Sequence, residues 1–165
     1  MQQSVHELYN MGLTSLNLGN PKEALSYFSR VLKLEPDNKK ALVKKGNVLG
    51  KLGKYSQAVS FYDKALAQEP DDFLALINKG LALHFLERYH EAISCYDMAL
   101  QLKPNNVTAL YNKSSSLIRQ NKINEGLQIL KTVVDQDFSY KAKAKFDIDF
   151  QGIKHLNEFK RLVLF

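Results

Sequence analysis

An all-α fold of repeated helix pairs is what this sequence predicts, from a 34-residue period, helically spaced apolar residues and breakers at each boundary. Gly12, Gly46 and Gly80 stand 34 residues apart, as do Ala24, Ala58 and Ala92, and Pro36, Pro70 and Pro104. Leu8, Leu42, Leu76 and Leu110 carry the same step into a fourth unit. Phe28, Tyr62 and Tyr96 follow it, and so do Val31, Ala65, Ala99 and Val133. The units run over residues 5–38, 39–72, 73–106 and 107–140, and residues 141–165 close a single domain of 1–165.

Each unit reads as two helices and a turn. In the second, Ala41, Leu42, Gly46 and Leu49 form one apolar stripe, and Ala58, Phe61, Tyr62, Ala65 and Leu66 form the next. Gly53 between them suits a left-handed helix end. Pro70 stops the second helix, and the aspartates after it can cap the helix that follows. Glu35-Pro36-Asp37-Asn38 and Lys103-Pro104-Asn105-Asn106 do the same. Pro21 opens the second helix of the first unit. Gly12, Gly46 and Gly80 are expected to meet Ala24, Ala58 and Ala92, bringing two helix backbones close together. The fourth unit is degenerate: Ser114 replaces the glycine, Gly126 the alanine, Leu130 the aromatic and Phe138 the proline.

This pattern of leucine, glycine, alanine, aromatic, small residue and proline resembles the tetratricopeptide repeat over residues 5–138. The resemblance implies a right-handed α-solenoid of three regular units and one degenerate unit, closed by a C-terminal cap. Asp147-Ile148-Asp149-Phe150 and Phe159-Lys160-Arg161-Leu162 are similar to the segment that ends many prokaryotic arrays of this type. Phe146, Ile148, Phe150, Ile153, Leu156, Phe159, Leu162 and Val163 are then expected to cover the last exposed helix face. The alternative for Leu162-Val163-Leu164-Phe165 is docking on another molecule.

By the same resemblance, the first helix of each unit lines a concave groove that takes protein partners. Its lining would be Tyr9, Asn10 and Leu13 in unit 1, and Lys40, Val43, Lys44, Asn47 and Lys51 in unit 2. Unit 3 would add Leu74, Ile77, Asn78, Leu81, His84 and Phe85, and unit 4 Tyr111, Asn112, Ile118 and Arg119. No Asp or Glu occupies these positions although the chain has 17, so the groove should be cationic. Leu74, Ile77, Leu81 and Phe85 make it apolar as well, and a helix apolar on both sides is normally covered on both sides. Asn10, Asn78 and Asn112 recur at one position, where their amides can both donate to and accept from a peptide backbone. Covering of this groove by the chain's own C-terminal segment is not expected across four repeats. The clamp with which co-chaperones of this family hold acidic chaperone termini is not matched. Placed on units 2–4, its positions read Val43, Asn47, Asn78, Thr108 and Asn112, with both asparagines present and all three cations missing.

No catalytic constellation or cofactor motif accompanies the repeat. His6, His84, His90 and His155 form no pair at zinc-ligand spacing and are expected to be surface or groove polar residues. The single Cys95 lies mid-helix without an activating base, which suits a buried structural thiol and excludes a disulfide framework. The residues after Met1 lack a secretory pattern, and no apolar run approaches the ~18 residues of a membrane span, so a cytoplasmic protein is expected. The net charge of +6 is concentrated in residues 105–165, with 10 Lys/Arg against 6 Asp/Glu. The expected function is therefore a non-catalytic scaffold, without cofactor or metal, binding an apolar and acidic peptide or helix. The alternative is a self-assembling protein that uses its apolar C-terminus. Nucleic acid fits less well, because cations and acids alternate along the second helices and no stacking aromatics pair with basic clusters.

Overall fold

The computed structural model describes residues 3–165, which form ten α-helices and one 3-10 segment, with no strand among them. The all-α expectation holds. The chain falls into two compact units, Met1–Leu86 and Glu87–Phe165. The first holds α1 (Val5–Asn17), α2 (Pro21–Leu34), α3 (Lys39–Lys51), α4 (Tyr55–Gln68) and α5 (Phe73–Phe85). The second holds α6 (Tyr89–Leu102), α7 (Val107–Arg119), α8 (Ile123–Gln136), α9 (Tyr140–Phe146), the 3-10 segment (Ile148–Ile153) and α10 (Asn157–Leu164). First helices begin at residues 5, 39, 73 and 107, and second helices at 21, 55, 89 and 123.

Local chemistry sets these starts and stops. Asn38, Asp72 and Asn106 accept from the backbone N–H of Ala41, Ala75 and Ala109 at 3.0, 3.0 and 2.9 Å, satisfying a donor that the helix itself leaves open. Ser4 and Glu7 cap α1 reciprocally, each side chain taking a backbone N–H from the other. The turns inside the pairs repeat a left-handed residue at Gly19 (φ 77°), Gly53 (71°), Glu87 (59°) and Asn121 (65°). Glycine adopts this conformation without strain and asparagine tolerates it; Glu87 does so at a cost.

In the first unit, α1 packs on α2 and α3 on α4, with α2 against α3 and α4 against α5. Leu8, Val31 and Ala41 form one buried cluster, and Ala24, Phe28 and Val48 another. The glycines work differently from the expectation. A β-carbon on Gly12 would lie 2.7 Å from the Phe28 ring, and one on Gly46 would lie 2.6 Å from the Tyr62 ring. The nearest neighbour is thus the aromatic one turn beyond Ala24 or Ala58, because a ring reaches across the gap and an alanine methyl does not. Ser15 is buried and donates to the Glu23 carboxylate at 3.0 Å, which accounts for a small polar residue at that position.

In the second unit the fourth pair inverts this arrangement. Ser114 is fully buried and its hydroxyl donates to the Gly126 carbonyl at 2.8 Å, so a serine fits where Leu130 replaces the ring. The tight spot has moved to Gly126, where a β-carbon would lie 2.5 Å from Ile118 Cδ1. The core of this unit joins Tyr111, Ile118, Leu127, Leu130 and Val133 to Phe150, Ile153, Phe159 and Val163 of the C-terminal segment. Phe146 and Ile148, expected in that cover, instead point outward at 79% and 78% exposure. The break between α9 and the 3-10 segment turns them away from the face that carries Ala144 and Phe150.

Two substitutions test these constraints. Gly46→Ala should destabilise the protein by about 1–3 kcal/mol by overpacking against Tyr62. Chemical denaturation of Gly46→Ala, Tyr62→Leu and the double variant should give a double-variant loss smaller than the sum of the two singles. Glu87→Gly should raise stability by about 0.5–1 kcal/mol by relieving the left-handed strain, read as a shifted denaturation midpoint.

Candidate functional site

The first unit holds a cleft of about 370 Å³ lined by α3, α4 and α5. From α3 come Asn47, Gly50 and Lys51, from α4 Tyr55 and Tyr62, and from α5 Asn78, Leu81, Ala82 and Phe85. Its polar end is built on one acceptor. The Tyr62 hydroxyl donates to Asn47 Oδ1 at 2.8 Å, and the Asn78 amide donates to the same oxygen at 3.0 Å. Burial pushes the Tyr62 phenol above its ordinary pKa, so it stays protonated and keeps donating. This network orients both amides and leaves Asn47 Nδ2 as a donor and Asn78 Oδ1 as an acceptor.

The apolar end is an aromatic wall. Tyr55 stacks on Phe85 with ring centroids 4.8 Å apart and planes at 16°. Leu81 and Phe85 remain 38% and 54% exposed, so their burial is available to a ligand. Gly50 opens the floor: a β-carbon there would meet nothing within 4 Å. Lys40, Lys44 and Lys51 fall with Asn47 at helical spacings of four, three and four residues, one stripe along α3. Among the described residues these three lysines make no ion pair, whereas Lys39 on a neighbouring face binds Glu69 and Asp72.

Of the residues expected in the groove, the structure brings Asn47, Lys51, Asn78, Leu81 and Phe85 into this cleft. Leu74 is exposed, and Lys40, Val43 and Lys44 lie on α3 outside the cleft lining. Tyr9 and Leu13 are half-buried against the Phe28 cluster, with the Tyr9 and Phe28 rings edge-on at 5.6 Å. Asn10 is exposed and bonded to His6 at 3.0 Å. Ile77 and His84 are buried at 7% each and do not line the cleft, so neither is the groove residue expected of it. His84 instead stands edge-on to Phe85 with centroids 5.8 Å apart.

Unit 4 departs furthest. Tyr111 is 2% exposed and donates to Asp147 Oδ2 at 2.7 Å, and its ring packs on Tyr140 and Phe150 at 4.9 and 5.7 Å. Burial, and next the Asp147 hydrogen bond, pushes its phenol pKa up. Ile118 is in the core beside Gly126. Arg119 donates to the Tyr89 hydroxyl at 3.0 Å and lies 3.9 Å from both Glu87 and Asp149. Asn112 is half-buried. The C-terminal segment therefore reaches the first helix of the fourth repeat, where Asp147 and Asp149 supply partners for Tyr111 and Arg119.

Sequence reasoning missed Tyr55 and Tyr62, which reach the cleft from the second helix. A signal was present for one of them, since Tyr55 and Tyr89 occupy the same place in the period and both begin a second helix. Among the described residues no group of three or more His, Cys, Asp or Glu could hold a metal ion, and no helix is long and apolar enough to cross a membrane.

Helix pairs in a 34-residue period, with a lined cleft on first helices, define a helical-repeat protein. The family described as the Psidin N-terminal TPR repeats region matches residues 7–128, and the chain belongs to this family of tetratricopeptide repeats. No curated protein matches it. Among solved structures it is similar to MamA 41-end from Desulfovibrio magneticus RS-1, at 23% identity over 98% of this chain and 90% of that one, TM-score 0.84. It is similar also to a MamA RS-1 double mutant, at 22% identity over 98% and 96%, TM-score 0.81. MamA from AMB-1 is 26% identical over 81% of this chain and 79% of its own, TM-score 0.75.

Removing the Tyr111 hydroxyl tests how the cap is held. Tyr111→Phe leaves Asp147 without its side-chain donor and should cost about 1–2 kcal/mol. The loss should appear in denaturant unfolding together with faster protease cleavage after residue 139.

Proposed function

We propose that this chain is a non-catalytic protein-binding scaffold whose cleft on α3, α4 and α5 takes a segment carrying apolar and acidic side chains. The observation that carries this reading is the pairing of a half-exposed aromatic wall with two pre-oriented amides in one cleft. A leucine or phenylalanine of the partner would lie on Leu81, Phe85 and Tyr55. Its burial would supply affinity at about 25 cal/mol per Å², less the cost of ordering the segment. The neighbouring peptide group would bond to Asn47 and Asn78, whose geometry is set before binding. Acidic residues would run along Lys51, Lys44 and Lys40, where the charges act on encounter rate and selection more than on final affinity.

Gly50 permits a test that spares the fold. Alanine there should be neutral or stabilise α3 by up to about 1 kcal/mol, because glycine is a poor helix former and the space is open. Leucine at the same position should fill the cleft. Peptide-display selection on the whole chain should enrich sequences combining Leu or Phe with Asp or Glu. Gly50→Leu should lower the affinity of the selected peptides at least about tenfold, the loss expected when one apolar anchor is excluded, and Lys44→Glu with Lys51→Glu should slow their association. Selected peptides that bind Gly50→Leu unchanged would overturn the assignment of this cleft.

A further inference from the structure

We propose that the cap of the second unit carries a surface that docks on anionic lipid bilayers, formed by α9 and the end of α10. Phe138, Phe146, Leu164 and Phe165 surround a shallow groove together with Lys141 and Lys145. The three phenylalanines are 72%, 79% and 88% exposed, and a contiguous group of that kind calls for a ligand where a single exposed ring would not.

The helix α9 is divided between two tasks. Ala144 is fully buried, and Lys143 lies over the Tyr111 and Tyr140 rings at 4.3 and 5.0 Å. Residues 138, 141, 142, 145 and 146 share the opposite side at helical spacing and face the groove. On α10, Lys160 precedes Leu164 by one turn and Arg161 precedes Phe165 by one turn, so cations flank the apolar residues there too. Residues 139–165 contain six Lys/Arg and three Asp/Glu. Two of those acids are drawn away: Asp147 holds Tyr111, and Asp149 lies near Arg119. Asp137, next to the patch, is occupied by the Ser139 backbone and hydroxyl. Glu158, a turn before Arg161, is the remaining acidic side chain of that segment.

A bilayer suits this surface better than a peptide. The groove lining has no side-chain amide to meet a peptide backbone, and its one hydroxyl already donates to Asp137. The three rings line a shallow groove and are largely exposed there. Two of the three have a cation beside them, with Lys141 over Phe138 at 4.1 Å and Lys145 near Phe146 at 5.7 Å. Rings at the acyl boundary and ammonium groups among lipid phosphates are the arrangement by which interfacial elements hold a membrane surface.

The test is co-sedimentation of the full chain with phosphatidylcholine vesicles, with and without phosphatidylglycerol. Binding is expected only with phosphatidylglycerol, weakening as salt is raised. Phe138→Ser with Phe146→Ser should reduce it at least about tenfold, as should Lys141→Glu with Lys145→Glu, by loss of the apolar and electrostatic contributions respectively. These exposed substitutions should leave the helical circular dichroism unchanged. Gly50→Leu should bind vesicles like the parent, so the lipid surface and the peptide cleft can fail separately. Absence of binding to the anionic vesicles, or equal binding by both double variants, would overturn the proposal. So would acidic peptides that bind this patch while vesicles do not, since the occupant would then be a protein.

Discussion

The Tyr62 ring occupies the space that a β-carbon on Gly46 would need, and much of the first unit depends on that approach. The ring packs α4 against α3, and its hydroxyl continues past the contact to Asn47, the residue after the glycine. Asn47 then holds Asn78 of α5. One side chain thus joins the packing of a helix pair to the polar end of a cleft. The first pair shows what changes without the hydroxyl. Phe28 stands where Tyr62 does, Leu13 stands where Asn47 does, and the two close into an apolar cluster. In these two pairs an apolar ring end is matched by an apolar neighbour and a phenol by an amide, in keeping with the cost of burying an unpaired polar group.

Electrostatics separates the faces of α3 in the same way. Lys39 meets Glu69 and Asp72 within one repeat, and Lys79 meets Asp63 of the preceding repeat at 2.6 Å. In the second unit Lys113 meets Asp97 at 2.6 Å, at the same step of the period. These pairs are partly exposed and contribute little stability each. Their consequence is positional, since Asp63 and Asp97 of second helices are held beside Lys79 and Lys113 of the first helices that follow. The stripe of Lys40, Lys44 and Lys51 makes no ion pair among the described residues, and of the three Lys51 lines the cleft.

The repeat was legible because its signals are local and recur. Caps at Asn38, Asp72 and Asn106, and a left-handed residue at Gly53, need only the residues around them. The left-handed turn at Glu87 was not legible, since no propensity favours glutamate there; the geometry of the helix pair imposes it. The candidate site was legible by half. The family resemblance implied Asn47, Lys51, Asn78, Leu81 and Phe85, all of which line the cleft. It could not separate them from Ile77, His84, Tyr111 and Ile118, because burial at those places depends on what packs above them. For Tyr111 the covering group is Asp147, 36 residues away in a segment outside the period. A contact of that kind leaves no trace in a comparison of one repeat with the next.

Termination explains why that contact exists. The last helix pair of a stacked array has an apolar face with no following repeat to bury it. Here α9, the 3-10 segment and α10 bury it with Phe150, Ile153, Phe159 and Val163, but a cap that joins only the end of α8 would be a weakly held lid. Reaching across to α7 supplies a second anchor, in which the Tyr111 phenol binds Asp147 and Arg119 lies near Asp149. The anchor uses first-helix positions that would otherwise be open to a partner. Stability at this end is therefore gained from the same residues that recognition would use. Counting repeats therefore overstates the first-helix surface that is left open, whereas in the first unit Asn47 takes hydrogen bonds from Asn78 and Tyr62 and the cleft beside them stays uncovered.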